Sequence, residues 1–295
     1  MKITHSLFAL ENYSIVKISG DNSANFLQGQ FTCDVTQVNE HKSSLGALCN
    51  PQGRILAVFT LFKRGSEFFC LLSSSLVSHF INHLSKFAAF SKVTLNDITA
   101  DFFLYGYTGE QNSDWFDAGI PLPNEVRASA ELLICHLPGR TPRYLIWSDK
   151  AQDSAKITAP EEVNTQRLSW KLVDILSGHA TIYPQTIATV TPHMLNLHHL
   201  EAVSFSKGCY VGQEIVARTH YLGKSKRHLH HAEINSNVQL DPGELIFAGD
   251  QEVGILMDSV VIDSTTFLLI VIQDPMDRML TLRKHPLIIN ASPLS

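Results

Sequence analysis

Lys207-Gly208-Cys209-Tyr210-Val211-Gly212-Gln213-Glu214 is the densest run of unusual residues in the chain. Two glycines four positions apart bracket a cysteine, and glycine permits tight turns and the close approach of a ligand or a second backbone. Ile215, Val216 and Thr219 fit a helix that begins near Gly212 or Gln213, although a strand reads nearly as well. As a helix, its first N–H groups lie close to Cys209 and favour a thiolate, and Lys207 adds to that. Two readings stay open: a reactive or ligand-binding thiol, and a small buried residue in a tight turn.

Around this run the charge changes sign. Between Lys207 and Arg227 stand Lys207, Arg218, Lys224, Lys226 and Arg227 against one acid, Glu214, in a chain whose net charge is −5. His220, His228, His230 and His231 lie in or beside the segment. It reads as an anion site, for a carboxylate-bearing ligand or a phosphate backbone, or as a solvated linker between domains. Further upstream, an amphipathic helix is predicted over 161–177, with Leu168, Leu172, Ile175 and Leu176 on one stripe and Gly178 as its stop. At about 100° per residue, Trp170 points roughly 170° away from that stripe. Either a second packing layer covers this indole or it stacks on something flat.

The rest of the chain supplies the frame. A strand is predicted at Tyr13 to Ile18, then a helix over 22–28 capped by Asp21, with Gly29 as its left-handed C′ residue. Asn50-Pro51-Gln52-Gly53 reads as a turn between two strands. A helix follows at about 74–88 on Leu76, Phe80, Ile81, Leu84 and Phe87, and strands at 93–118 and 131–148. From 228 onward the pattern is all-β, which places a domain boundary near 222–228.

Composition bounds the class. The chain has 295 residues, enough for one large domain or two of moderate size. With 44% apolar and 17% charged residues it is neither disordered nor fibrous. The longest apolar run, Phe267 to Ile272, is far short of the ~20 residues a membrane helix needs, and the N-terminus has no apolar segment of signal-peptide length. Cysteines at 33, 49, 70, 135 and 209, with no C-x-x-C, argue for a reducing cytoplasm and against a zinc ribbon. Gly223-Lys224-Ser225 lacks the earlier glycine of a phosphate loop, and neither a hydrolase elbow nor a dinucleotide fingerprint occurs. The histidine pairs have no cysteine or carboxylate at metal-ligand spacing and read as surface residues.

The run at 207–214 is similar to the signature of the YgfZ family, K-G-C-[FY]-x-G-Q-E, in all its fixed positions, and Ile215-Val216-Ala217-Arg218 and Gly223-x-x-Lys226-Arg227 continue it. Gly20-Asp21, Phe26-Leu27-Gln28-Gly29-Gln30-x-Thr32, Cys33-Asp34-Val35, Leu45-Gly46 to Gly53-Arg54, and Pro192 to Leu197 resemble its other blocks. The resemblance spans most of residues 8 to 231. It implies an α+β protein: a T-protein-like (aminomethyltransferase-like) folate-binding region over 1–225 and a small C-terminal β-barrel over 226–295.

It also implies a folate ligand, tetrahydrofolate or a derivative, and a role in maturing or repairing iron–sulfur enzymes, including those that modify tRNA. The family's two folate-contacting tryptophans fall at Tyr13, which departs in residue type while staying aromatic, and at Trp170. A pterin wants an aromatic face and an Asn, Gln or carboxylate for its polar edge, and its glutamate tail wants cations, for which Arg218, Lys224, Lys226 and Arg227 are the candidates; Lys207, Gln213 and Glu214 are further candidate cofactor-binding residues. Cys209 is the candidate functional thiol, and it and the outward-turned indole are expected to frame one slot. A folate-dependent one-carbon transferase is the alternative. Gly106-Tyr107-Thr108-Gly109-Glu110 resembles a T-protein string, but it lies about 60 residues before Trp170 without the acidic continuation and is read as coincidental. Direct tRNA binding is a third reading, supported by the basic stretch and not by the global charge.

Overall fold

The structure, a computed structural model, describes residues 6–109, 121–128, 132–139, 141–149, 169–223, 225–273 and 278–290. Among the described residues, three antiparallel sheets and four α-helices make up an α+β architecture. One sheet runs in the order β3-β4-β5-β2-β6, from β2 (Tyr13–Ser19), β3 (Ser44–Cys49), β4 (Ile55–Arg64), β5 (Glu67–Ser73) and β6 (Thr94–Asp97). A second runs β1-β7-β10-β9-β8, from β1 (Ser6–Ala9), β7 (Phe102–Thr108), β8 (Val126–Ala128), β9 (Leu132–Leu137) and β10 (Arg143–Asp149). β4 is buried at eight consecutive positions, because its sheet is covered on both faces. Phe59 and Leu61 on one side join Phe80 and Leu84 of α2 (Val77–Ala88). Phe62, Phe69 and Ile15 on the other meet Leu133, Leu145 and Trp147 of the second sheet.

Local sequence explains most elements. In α2, Val77, Phe80, Leu84 and Ala88 form the buried stripe, while Phe87, expected to extend it, is exposed. α1 spans Ser23–Gln28. Its N-cap is Asn22 and not Asp21, without a side-chain cap bond, and Gly29 is right-handed at φ −82°. The positive φ falls before the helix, at Gly20. α3 spans Trp170–Leu176, and the Ser169 hydroxyl caps it by accepting from Leu172 N. The predicted start of this helix at 161, with Leu168, lies outside the described residues. Gly178 ends it in the left-handed region, as expected. α4 spans Gln213–Tyr221, so the run at 207–214 enters a helix.

The third sheet draws on the seven strands described from Arg227 onward: β11 (Arg227–Ile234), β12 (Leu245–Ala248), β13 (Gln251–Ile262), β14 (Thr265–Gln273), β15 (Thr281–Leu282), β16 (His285–Pro286) and β17 (Ile288–Ile289). In the order β16-β15-β12-β13-β14-β11-β17 they form a nearly closed barrel. Ile246, Leu256, Leu268 and Ile270 fill its interior. Leu229, Met257, Leu269 and Val271 point the other way and join the main N-terminal core. In β13 the register skips between Leu256 and Asp258, a bulge at Met257 that lets Met257 and Asp258 serve different surroundings. Among the described residues no helix is long and apolar enough to cross a membrane.

Candidate functional site

Trp170 opens α3 and is only 6% exposed. Gly106 of β7 lies against its face: a Cβ there would sit 2.3 Å from the indole ring. Phe8 of β1 packs at 6.0 Å between ring centroids, and the Arg143 guanidinium stands 6.0 Å from the ring centroid. The packing layer foreseen as one alternative is therefore present. The same indole also borders a cleft of about 300 Å³, with Leu10, Tyr13, Lys171, Asp174, Tyr183 and Asp258 and a rim of Ser73, Ser74 and Ser75. Loops at the ends of β1, β2 and β5, helix α3 and the β13 bulge thus meet at one opening.

Two buried carboxyls organise the polar side of the cleft. Tyr13 Oη donates to Asp174 Oδ2 at 2.8 Å, and the fully buried Arg143 pairs with Asp174 Oδ1. Burial pushes the Asp174 carboxyl up to about 6, against the pull of Arg143 and the Tyr13 hydrogen bond. Burial, and then the Asp174 charge, hold the Tyr13 phenol well above its usual range. Asp258 accepts from Tyr183 Oη at 2.8 Å and from Ser259 N at 2.8 Å, and pairs with Lys171 Nζ at 2.6 Å. Burial raises its pKa, while Lys171 lowers it. The indole N–H of Trp170 is buried without a hydrogen-bond partner of ordinary geometry, although it lies near enough to Tyr13 to lower that phenol's pKa slightly. An aromatic wall, the carboxyls of Glu11, Asp174 and Asp258 and the Lys171 ammonium suit a flat heterocycle with a polar edge.

The cysteine run lies elsewhere. Val211 N donates to Gly29 O at 3.2 Å, and Gly212, at φ +84°, presses on the Asn50–Gly53 turn, where a Cβ would come 2.5 Å from Asn50 O. Cys209 is exposed, whereas Cys33, Cys49, Cys70 and Cys135 are buried, their thiols raised by burial. Lys207 does not attend the thiol. Its Nζ is buried and donates to Phe31 O at 2.7 Å and Cys33 O at 2.8 Å, and burial lowers its pKa to about 8. Gln213, Glu214 and Arg218 lie on α4, Arg227 opens β11 and Lys226 is exposed before it. Lys224 lies outside the described residues.

Of the residues singled out from sequence, Tyr13 and Trp170 come together at the cleft. Cys209, Lys207, Gln213, Glu214, Arg218, Lys226 and Arg227 are not among its lining, so the indole and the thiol do not share a slot. Asp174, Lys171, Tyr183 and Asp258 were missed. The signal for two of them was a lone acid inside an apolar stretch: Leu172-Val173-Asp174-Ile175 and Leu256-Met257-Asp258. The string from Gly106, set aside for its distance in sequence, is carried against Trp170 by β7. Its Glu110 lies outside the described residues.

Fold and site together define the class. The chain matches the glycine cleavage system aminomethyltransferase T from Bartonella henselae with a TM-score of 0.73, covering 100% of this chain and 87% of that one at 14% identity. The fold is therefore that of the T-protein aminomethyltransferases. No protein-family model matches. In sequence, the tRNA-modifying protein YgfZ of Colwellia psychrerythraea is 35% identical over 228 residues, 76% of this chain and 70% of that one. The YgfZ of Enterobacter sp. is 34% identical over 252 residues, 81% and 75% of the two chains. The chain belongs to the YgfZ family of tRNA-modifying proteins.

Proposed function

We propose that this protein binds a reduced folate, tetrahydrofolate or a one-carbon derivative, in the cleft of Tyr13 and Trp170. We propose further that it works in the cytoplasm without classical turnover, supporting the maturation or repair of iron–sulfur enzymes, including those that modify tRNA. The observation that carries the folate reading is the cleft itself. About 300 Å³ walled by an indole and a phenol is at the lower end of ordinary ligand sites and accommodates a pterin head. Trp170 offers its ring edge, Asp174 and Asp258 offer acceptors, and Lys171 is the lining cation for a carboxylate. Bound folate supplies a carrier for one-carbon units, and the protein's residues bind it, orient it and shield its head from water. Cys209 is the functional thiol in this reading, acting on an exposed face apart from the cleft, where a client enzyme has access.

A folate titration read by tryptophan emission tests the first part. Saturable quenching is expected for the wild type, and at least tenfold weaker binding for Trp170→Phe, which keeps an aromatic volume in the core. Unchanged binding in Trp170→Phe and in Tyr13→Ala would place folate elsewhere or nowhere. Cys209→Ala is expected to bind folate normally and to lose support of iron–sulfur enzyme activity in a deletion strain. Wild-type support by Cys209→Ala removes the thiol role.

The position of Gly106 against Trp170 favours one second reading, a folate-dependent one-carbon transferase, since it brings the T-protein-like string against the indole that borders the cleft. That reading requires release of a one-carbon unit from a folate adduct in vitro. Its absence, with folate bound, leaves the assembly role.

A further inference from the structure

The stretch from 191 to 231 holds seven of the chain's fourteen histidines, and the cleft uses none of them. Folding gathers four of the seven into one array of rings. Phe205 and His220 lie face to face, 3.7 Å between centroids and 12° between planes. His193 lies 5.9 Å from each of them and 4.7 Å from His198, which lies 4.0 Å from His199. Tyr221 meets the edge of His220 at 4.8 Å. At the base of the array His193 is 5% exposed, and neither of its ring nitrogens has a hydrogen-bond partner.

The outer members face solvent. His199 and His220 are exposed, Tyr221 is 65% exposed, and Leu222 beside it is 85% exposed. Among the described residues no three His, Cys, Asp or Glu side chains are disposed to hold a metal ion, so the array is not a metal centre as it stands. His228 lies near enough for its charge to act on His193 and His198, and Lys226 and Arg227 directly precede it in the chain. Arg218, one helical turn before Tyr221 and on the same side of α4, is exposed, as is Lys226, and Arg227 is half-buried. No ion pair engages these three among the described residues. The acids of the stretch are Glu201 and Glu214, both exposed, the second four residues before Arg218 on α4.

We propose that this face is a docking surface for single-stranded nucleic acid, with bases stacking on the exposed His220 and Tyr221 rings, backed by Phe205, and phosphates meeting Arg218, Lys226 and Arg227. Flat faces beside mobile cations are the pairing that unpaired strands need: stacking tolerates any base, and the cations track the backbone. An overall charge of −5 excludes a whole-molecule attraction for polyanions, so the contact must be local. The face shares no residue with the cleft, and the proposal stands or falls independently of the folate reading.

The test is fluorescence polarisation of a labelled twelve-residue oligouridylate with the full chain, with the DNA oligonucleotide of the same length as a second arm. Saturable binding that weakens at least tenfold between 50 and 200 mM salt is expected. Tyr221→Ala and the pair Arg218→Ala with Lys226→Ala are each expected to weaken it at least fivefold, while Tyr221→Phe retains it. These side chains are exposed, so melting temperature and the folate titration should stay at wild-type values. Preference between the RNA and DNA arms names the natural strand. Absence of saturable binding to either at 50 mM salt overturns the proposal. So does equal affinity of wild type and variants, or displacement by poly-glutamate as effective as by unlabelled oligonucleotide, which would mark a charge-only surface.

Discussion

Gly106 leaves the Trp170 indole the space it occupies. Any Cβ there would lie inside the ring's contact distance, and the strand backbone on one side and Phe8 on the other give it little room to withdraw. Gly106→Ala is expected to destabilise the protein by about 1–3 kcal/mol, the usual range for overpacking, and to weaken folate quenching by moving the ring. Denaturant unfolding and the same titration check both. Arg143 and Asp174 are a second residue-scale dependence. Removing one partner of a buried ion pair strands the other, so Arg143→Met is expected to cost about 3–5 kcal/mol. Adding Asp174→Leu should recover part of that loss in a urea double-mutant cycle, because no unpaired charge then remains. Strictly additive losses would show that the two residues do not depend on each other.

At the scale of elements, the segment carrying His193 and His198 packs against α4, and both imidazoles are held neutral. Burial, and then their histidine neighbours, lower each to about 4, against about 6.5 in an unfolded chain. Between those values the unfolded state binds more protons, so their share of stability is complete above pH 6.5 and is lost as pH falls toward 4. His179, half-buried just after α3 and lowered to about 3 by desolvation, acts in the same direction. Asp174 opposes them: raised to about 6, its contribution is present below about pH 4 and lost as pH rises through 6. Asp258, raised by burial, opposes them too, while His83 and His136, lowered by burial, add to the histidine side. Five imidazoles outweigh two carboxyls, so thermal melts should show a lower midpoint at pH 5 than at pH 7. His193→Phe, which keeps a ring and removes the titration, should show a smaller drop. Equal drops would place the acid sensitivity elsewhere. The elements themselves were largely legible: the α2 stripe, the Asn50–Gly53 turn and the glycine stop after α3 follow from local spacing and φ preference. Asp21 and Gly29 were misjudged because Asn22 takes the N-cap and Gly29 stays right-handed, so neither supplies the terminal feature its residue type suggests.

For the whole molecule, we propose two folding units, 1–225 and 226–295, sharing one core. The outer face of the barrel, through Leu229, Met257, Leu269 and Val271, belongs to the same cluster as Phe59, Phe80 and Leu84. A fragment of residues 226–295 should expose that face, bind a hydrophobic dye and melt without a sharp transition. A cooperative melt without dye binding would show that the barrel is self-sufficient. The sequence by itself determined the elements and the family, because strand alternation, helix stripes, turn residues and the 207–214 run are written over short spans. It also marked Trp170 as an indole that its own helix could not bury. Only the tertiary structure decided what stands beside that indole. Gly106, Tyr13, Asp174 and Asp258 come from distant strands, helix α3 and a β-bulge, and their approach is set by sheet order and register. The same long-range packing turned Lys207 inward to two carbonyls and left Cys209 on a separate exposed face, which no spacing along the chain could specify.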